Sequence, residues 1–211
     1  MSGEALFIDR EEAGRQLVES LEPYAQPDAV ILALPRGGVV LGREIADKLN
    51  LPLGIILVSK LGHPLNPEYA IGAISLGGQL VTNEFEFNSV DKNWLKEEMA
   101  KQKDKLLNRQ KIYLAGQPVI NPKDKVVIIV DDGAATGLTL LAAIQEVKTQ
   151  KPKKIIVAIP VSPRETADKI RAEVDEAIFL DIPQFFMGAV GSYYQKFLQV
   201  SDEEVIALLK K

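Results

Sequence analysis

The segment Val126 to Thr139, VVIIVDDGAATGLT, decides how the rest of the chain is read. Its run of β-branched residues, bounded by polar residues, is the pattern of a strand buried on both faces in the middle of a sheet. Two acids follow, and then small residues where strand gives way to helix. Small residues let an anion approach the backbone. The first-turn amides of a helix have no intrahelical partner and sit at the positive end of the macrodipole, so they bind phosphate without any lysine. Thr136 and Thr139 add hydroxyl donors. Acids beside such a site repel an anionic ligand unless they have other work. Asp131 and Asp132 can accept protons from two vicinal sugar hydroxyls, and either can face the water shell of a magnesium ion. A phosphate cradle beside a diol clamp describes a ribose 5-phosphate.

Working outward, apolar runs alternate with segments of helical period. That is the pattern of βαβ units, and it predicts an α/β fold with a mostly parallel twisted sheet flanked by helices. A helix is expected over Glu11–Leu21, with Asp9 and Glu12 in capping-box spacing. Strands are expected at Ala29–Leu34 and Leu53–Ser59, with a helix over Val39–Asn50 between them. Lys60–Glu68 reads as a polar, proline-bearing loop, and Tyr69–Phe87, with Gly77-Gly78 inside it, as a hairpin or meander. Asp91–Tyr113 is a long charged helix in which Glu97 and Lys101 stand at the favourable i,i+4 spacing. Downstream come a helix through about Thr149 and a strand at Lys154–Val161. A helix opened by Ser162-Pro163 with Glu165 follows, then a last strand at Ala177–Leu180 and a helix capped by Ser201 and Glu204.

The Asp-Asp segment resembles the signature of type I phosphoribosyltransferases, in which a hydrophobic strand ends in two acids followed by a small-residue loop containing Thr-Gly. The resemblance implies that Asp131 and Asp132 hold the ribose 2′- and 3′-hydroxyls, and that Ala135, Thr136, Gly137, Leu138 and Thr139 wrap the 5′-phosphate of 5-phosphoribosyl 1-pyrophosphate (PRPP). It also implies Mg²⁺, held by the two acids through water. Gly133 and Ala134 depart from the pattern, standing where the family more often has bulkier aliphatics. Leu34-Pro35-Arg36-Gly37-Gly38 resembles the family's pyrophosphate loop, with Arg36 neutralising the leaving group and the amides of Gly37 and Gly38 assisting. Lys60 is similar in position to a pyrophosphate-contacting lysine of orotate phosphoribosyltransferases, although Ser59 replaces the usual arginine before it. The Lys60–Glu68 stretch stands where the family has a small hood. A group of bacterial phosphoribosyltransferase-like proteins shares the elements LPRGG, KLGxPxNPE and AIGAI, which here are Leu34–Gly38, Lys60–Glu68 and Ala70–Ile74, so the resemblance covers nearly the whole chain. Asp181-Ile182-Pro183-Gln184-Phe185-Phe186 is similar to the Ile-Pro-x-x-Phe element of hypoxanthine-guanine phosphoribosyltransferases. Phe185 and Phe186 are therefore the expected acceptor contacts, with Phe186 at the place of the stacking ring; the match fades beyond it.

The activity implied is transfer of the phosphoribosyl group to a nitrogenous base, a step of nucleotide metabolism. Arg36, Lys60, Asp131 and Asp132 would be its catalytic residues. His63, the chain's one histidine, has no required part, because pyrophosphate neutralised by cations needs little protonation to leave. The alternative is a regulatory protein that senses PRPP without turnover. Other hydrophobic-Asp-Asp folds fit less well, since the chain has neither a GxxxxGK[ST] loop nor a GxGxxG turn.

A formal net charge of -4 supplies no global attraction for nucleic acid or an anionic membrane, so neither is an expected partner and any phosphate recognition must be local. With no cysteine there is no disulfide framework or thiolate metal site. The opening MSGEALFIDREE has no basic stretch followed by an apolar run, and a cytoplasmic location is expected. A length of 211 residues suits one domain, and members of the family commonly form dimers, so the resemblance makes a homodimer one possible state without fixing it.

Overall fold

The structure, a computed structural model, describes residues 5–116 and 119–210. The first four residues of the MSGEALFIDREE stretch lie outside them.

Strand β6 (Val126–Val130) is the axis of the fold, and all five of its residues are buried. Val126, Ile128 and Val130 enter one core with Leu17 and Leu21 of helix α1 (Arg10–Leu21) and Leu41 and Ile45 of α2 (Gly37–Leu49). Val127 and Ile129 enter a second core with Leu140 and Ile144 of α5 (Leu138–Thr149) and Ile170 of α6 (Arg164–Arg171). Alternation of side chains along a strand sends neighbours to opposite faces, so an unbroken aliphatic run is what a sheet covered on both sides demands. The sheet is parallel throughout. Its strands are β1 (Ala29–Ala33), β2 (Leu53–Ile55), β6, β7 (Lys154–Val161) and β8 (Glu176–Asp181), in the order β2-β1-β6-β7-β8.

Two expectations fail between residues 53 and 68. The predicted strand Leu53–Ser59 is two strands, β2 in the main sheet and the start of β3 (Val58–His63) in another. The aliphatic run is continuous through Ile56 and Leu57, both buried, so composition does not reveal the change of partner. The predicted loop Lys60–Glu68 is a hairpin, in which β3 pairs antiparallel with β4 (Asn66–Ser75). Its polar residues stand on an exposed ribbon, which reads as loop by composition. His63 has a local task there, its Nδ1 accepting the Leu65 N–H at 3.2 Å to close the turn. Strand β5 (Leu80–Thr82) joins β4 across the Gly77-Gly78 turn, completing a three-stranded antiparallel sheet at the place of the expected hood. The hood is tied to α5, where Glu146 accepts the Ser75 hydroxyl at 2.6 Å.

The hood sheet is followed by α3 (Glu84–Ser89), α4 (Lys92–Tyr113) and, at the far end of the chain, α7 (Asp202–Leu209). The Ser201–Glu204 capping box forms as expected. At α1 only half of one forms: Asp9 accepts the Glu12 N–H, but the Glu12 carboxylate accepts the N–H of Ile8. On α4 Lys101 pairs with Glu98, at i,i+3 spacing, rather than with Glu97. Helix α6 begins at Arg164 with Pro163 as its cap, and the Ser162 side chain caps nothing; Ser162 is fully buried at the end of β7. None of the helices described is long and apolar enough to cross a membrane.

Burial of β6 on both faces has a measurable consequence. Ile128→Ala and Ile129→Ala should each lower unfolding stability by about 2–5 kcal/mol in denaturant titration. A large loss at only one of these adjacent positions would mean that one face of the sheet is not core.

Candidate active site

Parallel pairing of β1 with β6 runs in register from Ala29 opposite Val126 to Ala33 opposite Val130, and continues as the Leu34 N–H donates to the Val130 carbonyl at 2.9 Å. Both strands therefore end at one level, and the Leu34–Gly38 loop lies against the acid pair. The Pro35–Arg36 peptide bond in that loop is cis. The contact is so close that a Cβ on Gly37 would lie 1.9 Å from Asp132 Oδ2, and one on Gly38 would lie 2.7 Å from the Val130 carbonyl. No side chain fits at either position, which explains the Gly-Gly that sequence alone would accept as a surface turn.

Helices α2 and α5 start at this edge, and neither has a side chain capping its first turn. Helices α1, α4 and α7 are capped, by Asp9, Asp91 and Ser201, while α3 and α6 share the lack of a side-chain cap, so it is position at this edge that sets α2 and α5 apart. The first-turn amides of α2 and α5 are thus left for an external anion. The loop leading into α5 is held from behind. Gly137 adopts φ +74° at the cap, a conformation that favours glycine. Thr166 of α6 donates its hydroxyl to the Ala135 carbonyl at 2.6 Å, and its methyl fills the space where a side chain at residue 137 would stand. Thr136 is the exposed member of the loop. Ala135 and Thr136 form one wall of a cleft of about 500 Å³, with Tyr69 and Asn83 on the hood side and Thr166 and Lys169 from α6.

Burial raises the pKa of both acids above the ordinary carboxylate value. For Asp131 the shift is large, with the charge of Asp132 adding to burial. For Asp132 the guanidinium of Arg10 opposes the shift. Asp131 Oδ1 accepts the Asp132 N–H at 2.8 Å, and Asp132 Oδ2 accepts from Arg10 Nε at 2.8 Å. Tyr194 donates its hydroxyl to the Asp132 carbonyl at 2.7 Å. Among the described residues no group of three or more His, Cys, Asp or Glu side chains could hold a metal. Two adjacent carboxylates suit an ion that keeps most of its water and arrives with a phosphate ligand, which is the habit of Mg²⁺.

Arg36 has its Nη1 3.7 Å from Asp202 Oδ1 on α7, and the same carboxylate accepts the Tyr113 hydroxyl at 2.5 Å. Burial, with that acceptor, pushes the Tyr113 phenol up to about 12. The Lys60 ammonium donates to the Glu68 carbonyl at 2.9 Å within the hood hairpin. The two expected acceptor rings differ from each other in setting. Phe186 is half-buried against the main core and stacked on Tyr193 at 5.4 Å, whereas Phe185 is 81% exposed. Sequence reasoning missed Arg10, Thr166 and Tyr194. Arg10 follows a helix cap, and nothing local distinguishes it from a first-turn surface residue.

The phosphoribosyl transferase domain model matches residues 3–195. The chain belongs to this family. Phosphoribosyl transferase relatives from Mycobacterium tuberculosis, so named provisionally, are 37% identical over 208 residues, or 98% of this chain and 47% of theirs. The chain thus spans about half the length of the curated relatives it matches. A crystal structure from Thermus thermophilus shares 41% identity and a TM-score of 0.80, covering 96% of this chain and 97% of that one. A protein of Aquifex aeolicus, at 15% identity and a TM-score of 0.50 over 81% of this chain and 72% of that one, shares the fold alone. The phosphoribosyl transferase match stops before Phe197, Leu198 and α7, although all three touch the site.

The acid pair makes stability and pH pull in a defined direction. Burial holds a proton on Asp131 at pH values where the unfolded chain has released it. Stability is therefore greatest below about pH 4 as far as this group is concerned, and falls as pH rises towards the raised folded value. Asp131→Asn removes this penalty while keeping an acceptor for the Asp132 N–H. Its thermal midpoint should exceed that of the wild type at neutral pH, with the difference shrinking on acidification. A lower midpoint at neutral pH would show that the ionised form is not penalised.

Proposed function

We propose that the chain binds Mg²⁺-PRPP and transfers its 5-phosphoribosyl group to a nitrogenous base, releasing pyrophosphate. The observation that carries this reading is the placement of two uncapped helix starts, α2 and α5, next to a half-buried acid pair where adjacent strands end. One anion site cannot use both, and a diphosphorylated ligand with a diol between its phosphates can. The 5′-phosphate rests on Ala135–Thr139 and the pyrophosphate on Arg36, Gly37 and Gly38, while Asp131 and Asp132 accept from the ribose hydroxyls. Mg²⁺ supplies charge neutralisation for the pyrophosphate. Fixed at both ends, the sugar presents its anomeric carbon to the acceptor, and the oxocarbenium-like charge that develops as pyrophosphate departs lies near the acid pair. The contribution of the protein is positioning and electrostatics.

Lys60 enters this scheme only if it exchanges Glu68 for pyrophosphate, so Arg36 is the principal cation. For the acceptor, Phe185 is the ring left free to stack on a planar base, an interaction worth about 1–3 kcal/mol. Phe186 supports the segment from beneath through Tyr193.

Pyrophosphate release from PRPP and Mg²⁺ with a panel of nucleobases tests the reading. Turnover with at least one base is expected, and Arg36→Ala should weaken PRPP binding strongly while leaving ribose 5-phosphate nearly untouched. Tight PRPP binding without turnover on any base would favour a sensor, and equal losses for both ligands in Arg36→Ala would move the pyrophosphate elsewhere. On the acceptor side, Phe185→Ala should raise the Michaelis constant of the base with folding stability unchanged. Phe186→Ala should lower stability by about 1–3 kcal/mol through lost packing. A selective acceptor effect from Phe186→Ala alone would reverse the two assignments.

A further inference from the structure

The proposed reaction gives no part to a buried arginine that touches the acid pair. Arg10, the first residue of α1, is only 9% exposed. Its Nε donates to Asp132 Oδ2 at 2.8 Å, its Nη1 donates to the Leu198 carbonyl at 2.6 Å, and its guanidinium carbon lies 3.8 Å from the centroid of the Phe197 ring. The segment bearing these partners is itself fixed to the start of the chain. Phe7 N–H donates to Tyr193, and Gln195 and Lys196 N–H donate to Phe7 and Ile8. Burying a guanidinium and a carboxylate together is a poor way to gain stability, since two apolar side chains of similar volume would serve as well or better. The arrangement does something more specific to Asp132.

We infer that Arg10 is the positioning residue of the diol clamp, fixing which oxygen of Asp132 faces the ribose. The inference rests on the reading of Asp131 and Asp132 as that clamp. Of the four carboxylate oxygens, Asp131 Oδ1 is taken by the Asp132 N–H and Asp132 Oδ2 by Arg10. Asp131 Oδ2 and Asp132 Oδ1 remain, one from each acid, to meet two neighbouring hydroxyls. Without Arg10 the Asp132 carboxylate is free to rotate about its side-chain bond, and two buried acids face each other with no cation between them. Gly37 completes the arrangement: a Cβ there would lie 2.7 Å from Arg10 Nε, so the pyrophosphate loop closes directly over the ion pair.

The groups that set the charge of the pair come from several elements. Asp131 and Arg10 act directly on Asp132, and Tyr194 donates to its carbonyl, with burial and the neighbouring acid charges holding the Tyr194 phenol protonated. Glu12 of α1 faces Tyr194. Asp9, Glu11, Lys196 and Glu204 line a cavity of about 230 Å³ beside Arg10. Arg36 is engaged by Asp202. Arg10 is thus the one cation in contact with the acid pair among the described residues.

The test is calorimetric binding of ribose 5-phosphate at one neutral pH, with inorganic phosphate measured in parallel as the ligand that lacks the diol. In Arg10→Ala the affinity for ribose 5-phosphate should fall by about 10- to 100-fold, the loss of one charged hydrogen bond, while that for inorganic phosphate hardly changes. Phe197→Leu, which leaves Arg10 in place but removes its platform, should act the same way by less. Arg10→Lys keeps the charge but cannot span Asp132 and the Leu198 carbonyl together, so it should restore only part of the affinity; if Arg10→Ala does not fold, Arg10→Lys and Phe197→Leu decide the matter. Pyrophosphate binding should be nearly unchanged throughout. Folded variants whose ribose 5-phosphate affinity matches the wild type would make Arg10 a purely structural brace. Wild-type protein that binds ribose 5-phosphate no better than inorganic phosphate would instead overturn the clamp reading itself.

Discussion

The loop after β1 approaches the end of β6 more closely than any side chain permits, and the site depends on that approach. It follows from the parallel register of the two strands, carried one residue further by the Leu34 bond to Val130. Glycine at 37 and 38 is what allows the backbones to meet. Because they meet, two helix starts open onto one volume and an acid pair lies between them. A negatively charged chain can then offer local positive potential to phosphates from backbone dipoles, with few cations of its own.

Two charged groups of the site have ionic partners within the chain. Asp132 faces Arg10, and Arg36 faces Asp202. These two contacts differ in kind. The first is short and largely buried, and it survives as part of the site. The second is longer, with both side chains partly exposed, so it is weak and readily exchanged for a stronger anion. Asp202 therefore stands where a phosphate oxygen would compete with it, on a helix that lies outside the family match.

What the sequence disclosed was local. The β6 run, the small-residue loop after it and the Ser201 cap each declare themselves within a few residues, because strand burial, anion cradles and capping are all short-range patterns. The acid pair was legible for the same reason. Arg10 was not, since its partner lies 122 residues away and its setting reads as an ordinary helix start. Thr166 was hidden likewise, its hydroxyl spent on a carbonyl 31 residues upstream. The hood strands were misread where Ile56 and Leu57 leave one sheet for another, because an aliphatic run carries no mark of which partner it pairs with. Phe185 and Phe186 show a further limit: adjacent rings in a loop point different ways, and only packing against Tyr193 decides which one is held.

The bond between Arg10 and the Leu198 carbonyl sets an order of events during synthesis. The ribosome delivers Arg10 first and Asp132 well after it, and residues 197 and 198 emerge last of the three. Strands β1, β6 and β7 can pair and bury their aliphatic faces before then, so a nascent chain can hold its sheet while the acid pair still lacks its brace. Completion of the site is a late event, separate in time from formation of the core. A chain cut just before residue 197 would leave a folded sheet with an unfinished centre.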